Sequence, residues 1–203
     1  MNVTRLLFGS QFLQLIQEGQ QVDQLIENGG VDLLKKSTPV QENALNIQWY
    51  RLSRPNPFSV GIIIMLLEIV LAWGWATLIF HFKLPVELSA LFLYSITPFM
   101  CIFIVLIPYG LGRGYISGLL LIYCFHLFNI LLTSAVFLLI LIKSVELNEW
   151  MKQLYFFPLQ LLVIYLCRHT INSNSFYKII SFFRTTRLLV EAKKAREKLQ
   201  STK

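Results

Sequence analysis

Among the side chains that can hydrogen-bond or carry a proton within otherwise apolar runs of this sequence are Glu68, Thr97, His126, Asn129, Thr133 and Gln160. Glu68 lies near the centre of GIIIMLLEIVLAWGWATLIF, residues 61–80, where a carboxyl group without a partner is expensive in hydrocarbon. His126, Asn129 and Thr133 recur at spacings of three and four and form one polar stripe on a helix, with Tyr123 a turn before them. Glu68 and His126 sit at similar depths in their runs. Their chemistry would be a shared proton, as a relay or as a neutral hydrogen-bonded pair. The plainer alternative is structural. Glu68 shares a face with Ala72 and Ala76, and small residues let helices approach closely. Interhelical hydrogen bonds of about 0.6–2 kcal/mol then fix helix order. The expectation favours this helix-ordering or subunit-contact role over proton traffic.

The elements that must position these groups are membrane helices. The chain is 55% hydrophobic and only 14% charged, well below the charge content of a soluble domain. A crossing helix needs roughly 20 mostly apolar residues. Four runs qualify or nearly qualify: 58–80, 86–108, 115–142 and the shorter 150–167, which contains Pro158. The expected fold class is an all-α integral membrane protein, a four-helix transmembrane bundle with helical segments at both termini. Cys101, Cys124 and Cys167 all fall inside these runs and read as small apolar residues. No uninterrupted apolar stretch near the amino end resembles a cleaved signal, so the first run would direct insertion.

Charge sets the orientation. Residues 1–57 and 58–167 each carry as many acidic as basic side chains, while 168–203 holds nine Lys or Arg against Glu191 and Glu197. The positive-inside rule places that tail in the cytoplasm. With four spans the amino terminus and the loop bearing Arg113 join it there, in the plasma (inner) membrane. Fifteen basic residues then lie inside and three, Lys83, Lys143 and Lys152, outside.

The two terminal regions, 1–57 and 168–203, hold the candidate contacts with other molecules. Phe12, Leu15, Ile16, Val22, Leu25 and Ile26 give residues 10–28 a helical apolar stripe. Ser10 reads as its cap and Asn28-Gly29-Gly30 as its stop. Its polar face is mostly Gln, without the Lys and Arg of a membrane-surface helix. This predicts packing against protein, either the chain's own core or a partner. Residues 44–52 read as an extended segment, with Trp49, Tyr50, Arg51 and Arg54 as interfacial anchors beside Pro55 and Pro57. Arg113 is a further anchor. In the tail, Phe176, Ile179, Ile180 and Phe183 form an apolar face, with Lys178, Arg184 and Arg187 elsewhere. That pattern predicts an interfacial helix on anionic lipid headgroups, followed by a solvated helical end.

Motifs of catalysis, metal binding and nucleotide binding are not found, and no residue set calls for a cofactor. YGLGRGY, residues 109–115, has the glycines of a phosphate cradle but follows no strand, and reads as a tight turn between spans. Asn2-Val3-Thr4 fits a glycosylation sequon at a terminus assigned to the cytoplasm. Base-reading motifs are lacking in the tail, so nucleic acid is not an expected partner. The leading expectation is a non-catalytic anchor, scaffold or sensor subunit with a cytoplasmic protein partner, self-associating in the bilayer. Secretion, envelope, toxin-immunity and phage-defence systems use small proteins of this build. The alternative is an oligomeric channel or carrier using the Glu68–His126 pair. A lipid-modifying enzyme would need a joint site, yet His81 and Glu87 fall on the opposite side from Arg113.

Overall fold

A computed structural model describes residues 3–38, 57–142 and 147–201. Among these residues the chain is helical throughout, without strands. In chain order the helices are α1 Val3–Phe8, α2 Ser10–Asn28, α3 Gly30–Lys35, α4 Phe58–Phe82, α5 Val86–Gly112, α6 Ile116–Ile142, α7 Leu147–Ile171 and α8 Asn174–Ser201. The segment 44–52, with Trp49, Tyr50 and Arg51, and the following Arg54 lie outside the described residues.

Three helices, α4, α5 and α6, are long and apolar enough to cross a membrane, at 25, 27 and 27 residues. At 1.5 Å per residue each is about 37–40 Å long. The fourth, α7, is also 25 residues long, but its apolar part is the shorter stretch Phe157–Ile171. The α4 helix ends where Lys83 adopts the left-handed conformation, at φ 48°, and Pro85 precedes α5. The second run extends beyond its expected end, because α5 continues through Pro108 to Gly112. A proline removes only its own N–H from the helix ladder. The turn shrinks to Arg113-Gly114-Tyr115, with Gly114 at φ 71°.

The α4 and α6 helices form the centre of the bundle, and α5 and α7 flank them, each touching both. Close approach comes from glycines. A Cβ on Gly110 would lie 2.9 Å from the Gly118 nitrogen, and one on Gly74 would lie 2.9 Å from Leu132 Cδ2. Aromatic pairs fill the wider gaps: Phe103 stacks on Phe125 at 4.3 Å and Phe137 on Phe157 at 4.4 Å. Most of α5 faces outward, with Leu91, Tyr94, Phe99 and Val105 all strongly exposed.

The remaining helices build a cap on one end of the bundle. Thr133 of α6 pairs with Gln160 of α7, so Ile171, eleven residues on, lies level with Ile122, eleven residues back. The α7 helix therefore stops about 9 Å short of the start of α6. Phe8, Phe12 and Leu15 of α1 and α2, all fully buried, and Phe176 and Ile179 of α8 belong to the same apolar cluster as Ile63, Leu67 and Ile122 of the bundle. Cap and bundle share one core. The tail is a single 28-residue helix lying against α2.

Candidate functional site

The polar side chains of the bundle take up three different directions. Asn129 Nδ2 donates to the Leu67 carbonyl of α4 at 2.9 Å, and Gln160 Nε2 donates to Thr133 Oγ1 at 2.9 Å. All three side chains are buried. Asn129 thus ties α6 to α4, and Thr133 ties α6 to α7.

Glu68 and His126 are also buried, at 8% and 1% exposure. Both carboxyl oxygens of Glu68 lack a hydrogen-bond partner among the described residues, while the His126 ring lies within reach of the Leu7 backbone of α1. They do not face each other. Glu68 and Trp75 are seven residues apart, 20° short of two turns, and so share a face. Trp75 Nε1 donates to the Phe92 carbonyl of α5 at 2.7 Å, and its ring stacks on Phe92. Glu68 therefore points to the α5 side of α4. His126 shares a face with Thr133 by the same spacing, and Thr133 meets α7. Its charged neighbour is Arg168 of α7, and its ring meets the edge of Phe8 at 5.4 Å. The two groups read from the sequence as a pair lie on opposite flanks of the α4–α6 contact. Thr97 stands apart from the set: it is exposed and returns its hydroxyl to the Leu93 carbonyl of its own helix at 3.3 Å. Ser/Thr bonding to the carbonyl four residues back is the local alternative that competes with interhelical contact.

The second concentration of polar chemistry joins α2 to α8, which run parallel. Arg184 is 6% exposed. Its Nη1 donates to Glu18 Oε2 at 3.1 Å and its Nη2 to the Leu15 carbonyl at 2.6 Å. Tyr177 adds a hydroxyl hydrogen bond to Glu18 at 3.2 Å. Burial pushes the Arg184 guanidinium below its ordinary range, and Glu18 opposes that shift. Arg187 pairs with Asp23 through a short contact, donates to the Gly114 carbonyl at 3.2 Å and lies over the Tyr115 ring at 4.3 Å. Gly114 has no room for a side chain, since a Cβ there would fall 2.7 Å from the Phe183 carbonyl oxygen. The glycine turn is a seat for α8.

These contacts give two basic residues of the tail partners within the chain. Arg184 and Arg187, expected as headgroup anchors, are engaged by acids of α2, because burial of a guanidinium requires a counter-charge. Lys178 is exposed, and so is Arg113, which lies 5.5 Å from the centre of the Tyr109 ring. Of the docking candidates, Phe12 and Leu15 are spent on the chain's own core, while Ile16, Val22, Leu25 and Ile26 are half-buried.

Sequence reasoning missed the joint that fixes the cap. Asn172, between α7 and α8, donates from Nδ2 to the Phe8 carbonyl at 2.5 Å and to the Arg168 carbonyl at 2.8 Å. Its Oδ1 accepts from the Phe12 N–H at 3.3 Å. Gly9 breaks α1 from α2 at φ 80° and packs so tightly on Asn172 that a side chain would collide with it. Glycine is the residue that adopts such a φ without strain. The signals were Gly9 itself and the Asn172-Ser173-Asn174 turn, but only the fold reveals that they meet.

His81 and Glu87 flank the turn after α4, while Arg113 follows the far end of the 27-residue α5, about 40 Å away. They form no joint site. Comparison of the chain with protein-family models, with curated proteins and with solved structures finds no match.

Proposed function

We propose that the chain is a non-catalytic anchor, scaffold or sensor subunit of the plasma (inner) membrane. In this reading α4 to α7 all cross the bilayer, both termini lie in the cytoplasm, and the cap formed by α1, α2, α3 and α8 presents a rigid face to a cytoplasmic protein partner. The observation that supports it is the cap. Segments more than 160 residues apart are joined by Glu18–Arg184 and Asp23–Arg187 and rooted in the core of the bundle. Such an arrangement suits a part whose position must be fixed relative to the membrane. The outward apolar face of α5 provides lipid contact and room for self-association. Affinity purification in mild detergent, followed by mass spectrometry and sizing, tests the reading. A stoichiometric soluble partner is the expected result, and a lone homo-oligomer that conducts ions in liposomes would overturn it.

A channel or proton carrier is the second reading, favoured by the unpartnered Glu68 carboxyl. Because His126 faces the other flank, Glu68 would have to act without it. Replacing Glu68 with Gln and with Leu separates the two. For a helix-ordering contact, Gln is tolerated and Leu weakens assembly. Proton flux into dye-loaded liposomes that Gln abolishes while assembly stays intact would support the carrier.

A further inference from the structure

The kink at Gly9 folds α1 back against the first two turns of α2 and opens a cleft of about 550 Å³ between them. Thr4 and Arg5 line it from α1, and Ser10, Leu13, Gln14 and Gln17 from α2. Its wall is therefore one guanidinium, two hydroxyls and two carboxamides around an apolar floor. Arg5 is exposed, and among the described residues no carboxylate pairs with it. Arg184 and Arg187, by contrast, each have an acid on α2. On α1 the side chains flanking Arg5 include the strongly exposed Val3 and Leu6. The height of the cleft is set by Phe8, one turn from Arg5, which stacks on Tyr123 at 4.1 Å. Tyr123 is seven residues into α6, about 10 Å from its start. If α6 crosses the bilayer, the α1–α2 elbow lies at the headgroup level of one leaflet.

From this geometry we infer that the α1–α2 cleft binds the headgroup of an anionic phospholipid. The Arg5 guanidinium donates to the phosphate oxygens. Thr4, Ser10 and the glutamines hydrogen-bond the phosphate and the headgroup hydroxyls, while Val3 and Leu6 lie along the acyl chains. A phosphodiester suits this wall, since a guanidinium presents paired N–H donors to phosphate oxygens in a matching fork. The inference rests on the membrane reading of the chain: a protein recovered from the soluble fraction would sink both.

The test is native mass spectrometry of the full chain in mild detergent, titrated with phosphatidylglycerol or phosphatidylcholine. The expected result is a one-to-one adduct with phosphatidylglycerol, weakened at least about tenfold by Arg5→Gln and unchanged by Lys194→Gln at the exposed end of the tail. Arg5→Lys keeps the charge without the fork and should fall between. The lipid-free melting temperature of each variant reports whether its fold is intact. If Arg5→Gln fails to fold, paired Thr4→Ala and Ser10→Ala changes must lower phosphatidylglycerol binding for the site to stand. Equal binding of phosphatidylcholine, an unaltered Arg5→Gln adduct or an equal loss in Lys194→Gln would overturn the assignment. Displacement of the lipid by millimolar inorganic phosphate would replace the lipid by a free phosphate ligand.

Discussion

The bundle interior and the cap hold their helices together by different means. In the bundle the polar contacts are single, neutral hydrogen bonds, Asn129 to Leu67, Gln160 to Thr133 and Trp75 to Phe92, set among stacked aromatics and close-packed glycines. In the cap the contacts are shared, and those of the two arginines are charged. Arg184 serves Glu18 and a carbonyl, Arg187 serves Asp23, a carbonyl and a ring, and Asn172 bonds three backbone groups. The Glu18 side chain keeps 33% of its exposure, so the cap's charges reach water at their edges. The interior of the bundle offers no such edge. Polar groups there set helix register, and packing supplies the stability. At the rim, ion pairs can define which distant segments meet.

That contrast can be broken most sharply at Glu18. Glu18→Ala leaves the buried Arg184 guanidinium without its counter-charge, and the expected cost is about 3 kcal/mol. In a chain of this size that lowers the melting temperature in detergent by roughly 6–12 °C. The cap should also open to protease before the bundle melts, and a single cooperative loss would mean that cap and bundle are not separable. Asn172→Ala removes three hydrogen bonds at the joint and should cost about 2 kcal/mol. The readout is labelling of a cysteine placed at Leu7, which speeds up only if the α1 joint loosens. The smallest effects belong to the bundle. Asn129→Leu should cost about 1 kcal/mol, while Thr97→Val should stay within about 0.5 kcal/mol. Equal losses at the two positions would show that Thr97 has an interhelical partner.

Much of this was legible in order along the chain. Apolar runs of sufficient length mark α4, α5 and α6 because a helix satisfies its own backbone inside hydrocarbon. The i, i+3, i+4 stripe marks α2 over Ser10–Asn28, although the residue that caps its start is Gly9 and not Ser10, whose side chain makes no cap hydrogen bond. The stripe His126, Asn129, Thr133 is buried as one, since its spacing is a property of the helix alone. Partners were not legible, because they depend on rotation and register between helices. Glu68 and His126 match in depth, yet the wheel turns one toward α5 and the other toward α7. Arg184 and Arg187 have the spacing of a lipid-facing pair, and their acids lie more than 160 residues away. By itself the sequence determined which segments are helices, which of them suit a bilayer, and where the positive charge gathers, all of which follow from composition and period. Only the tertiary structure decided that the two termini form one cap, that Gly9 and Asn172 join it, and which polar groups meet, because nothing local encodes a contact between the two ends of a chain.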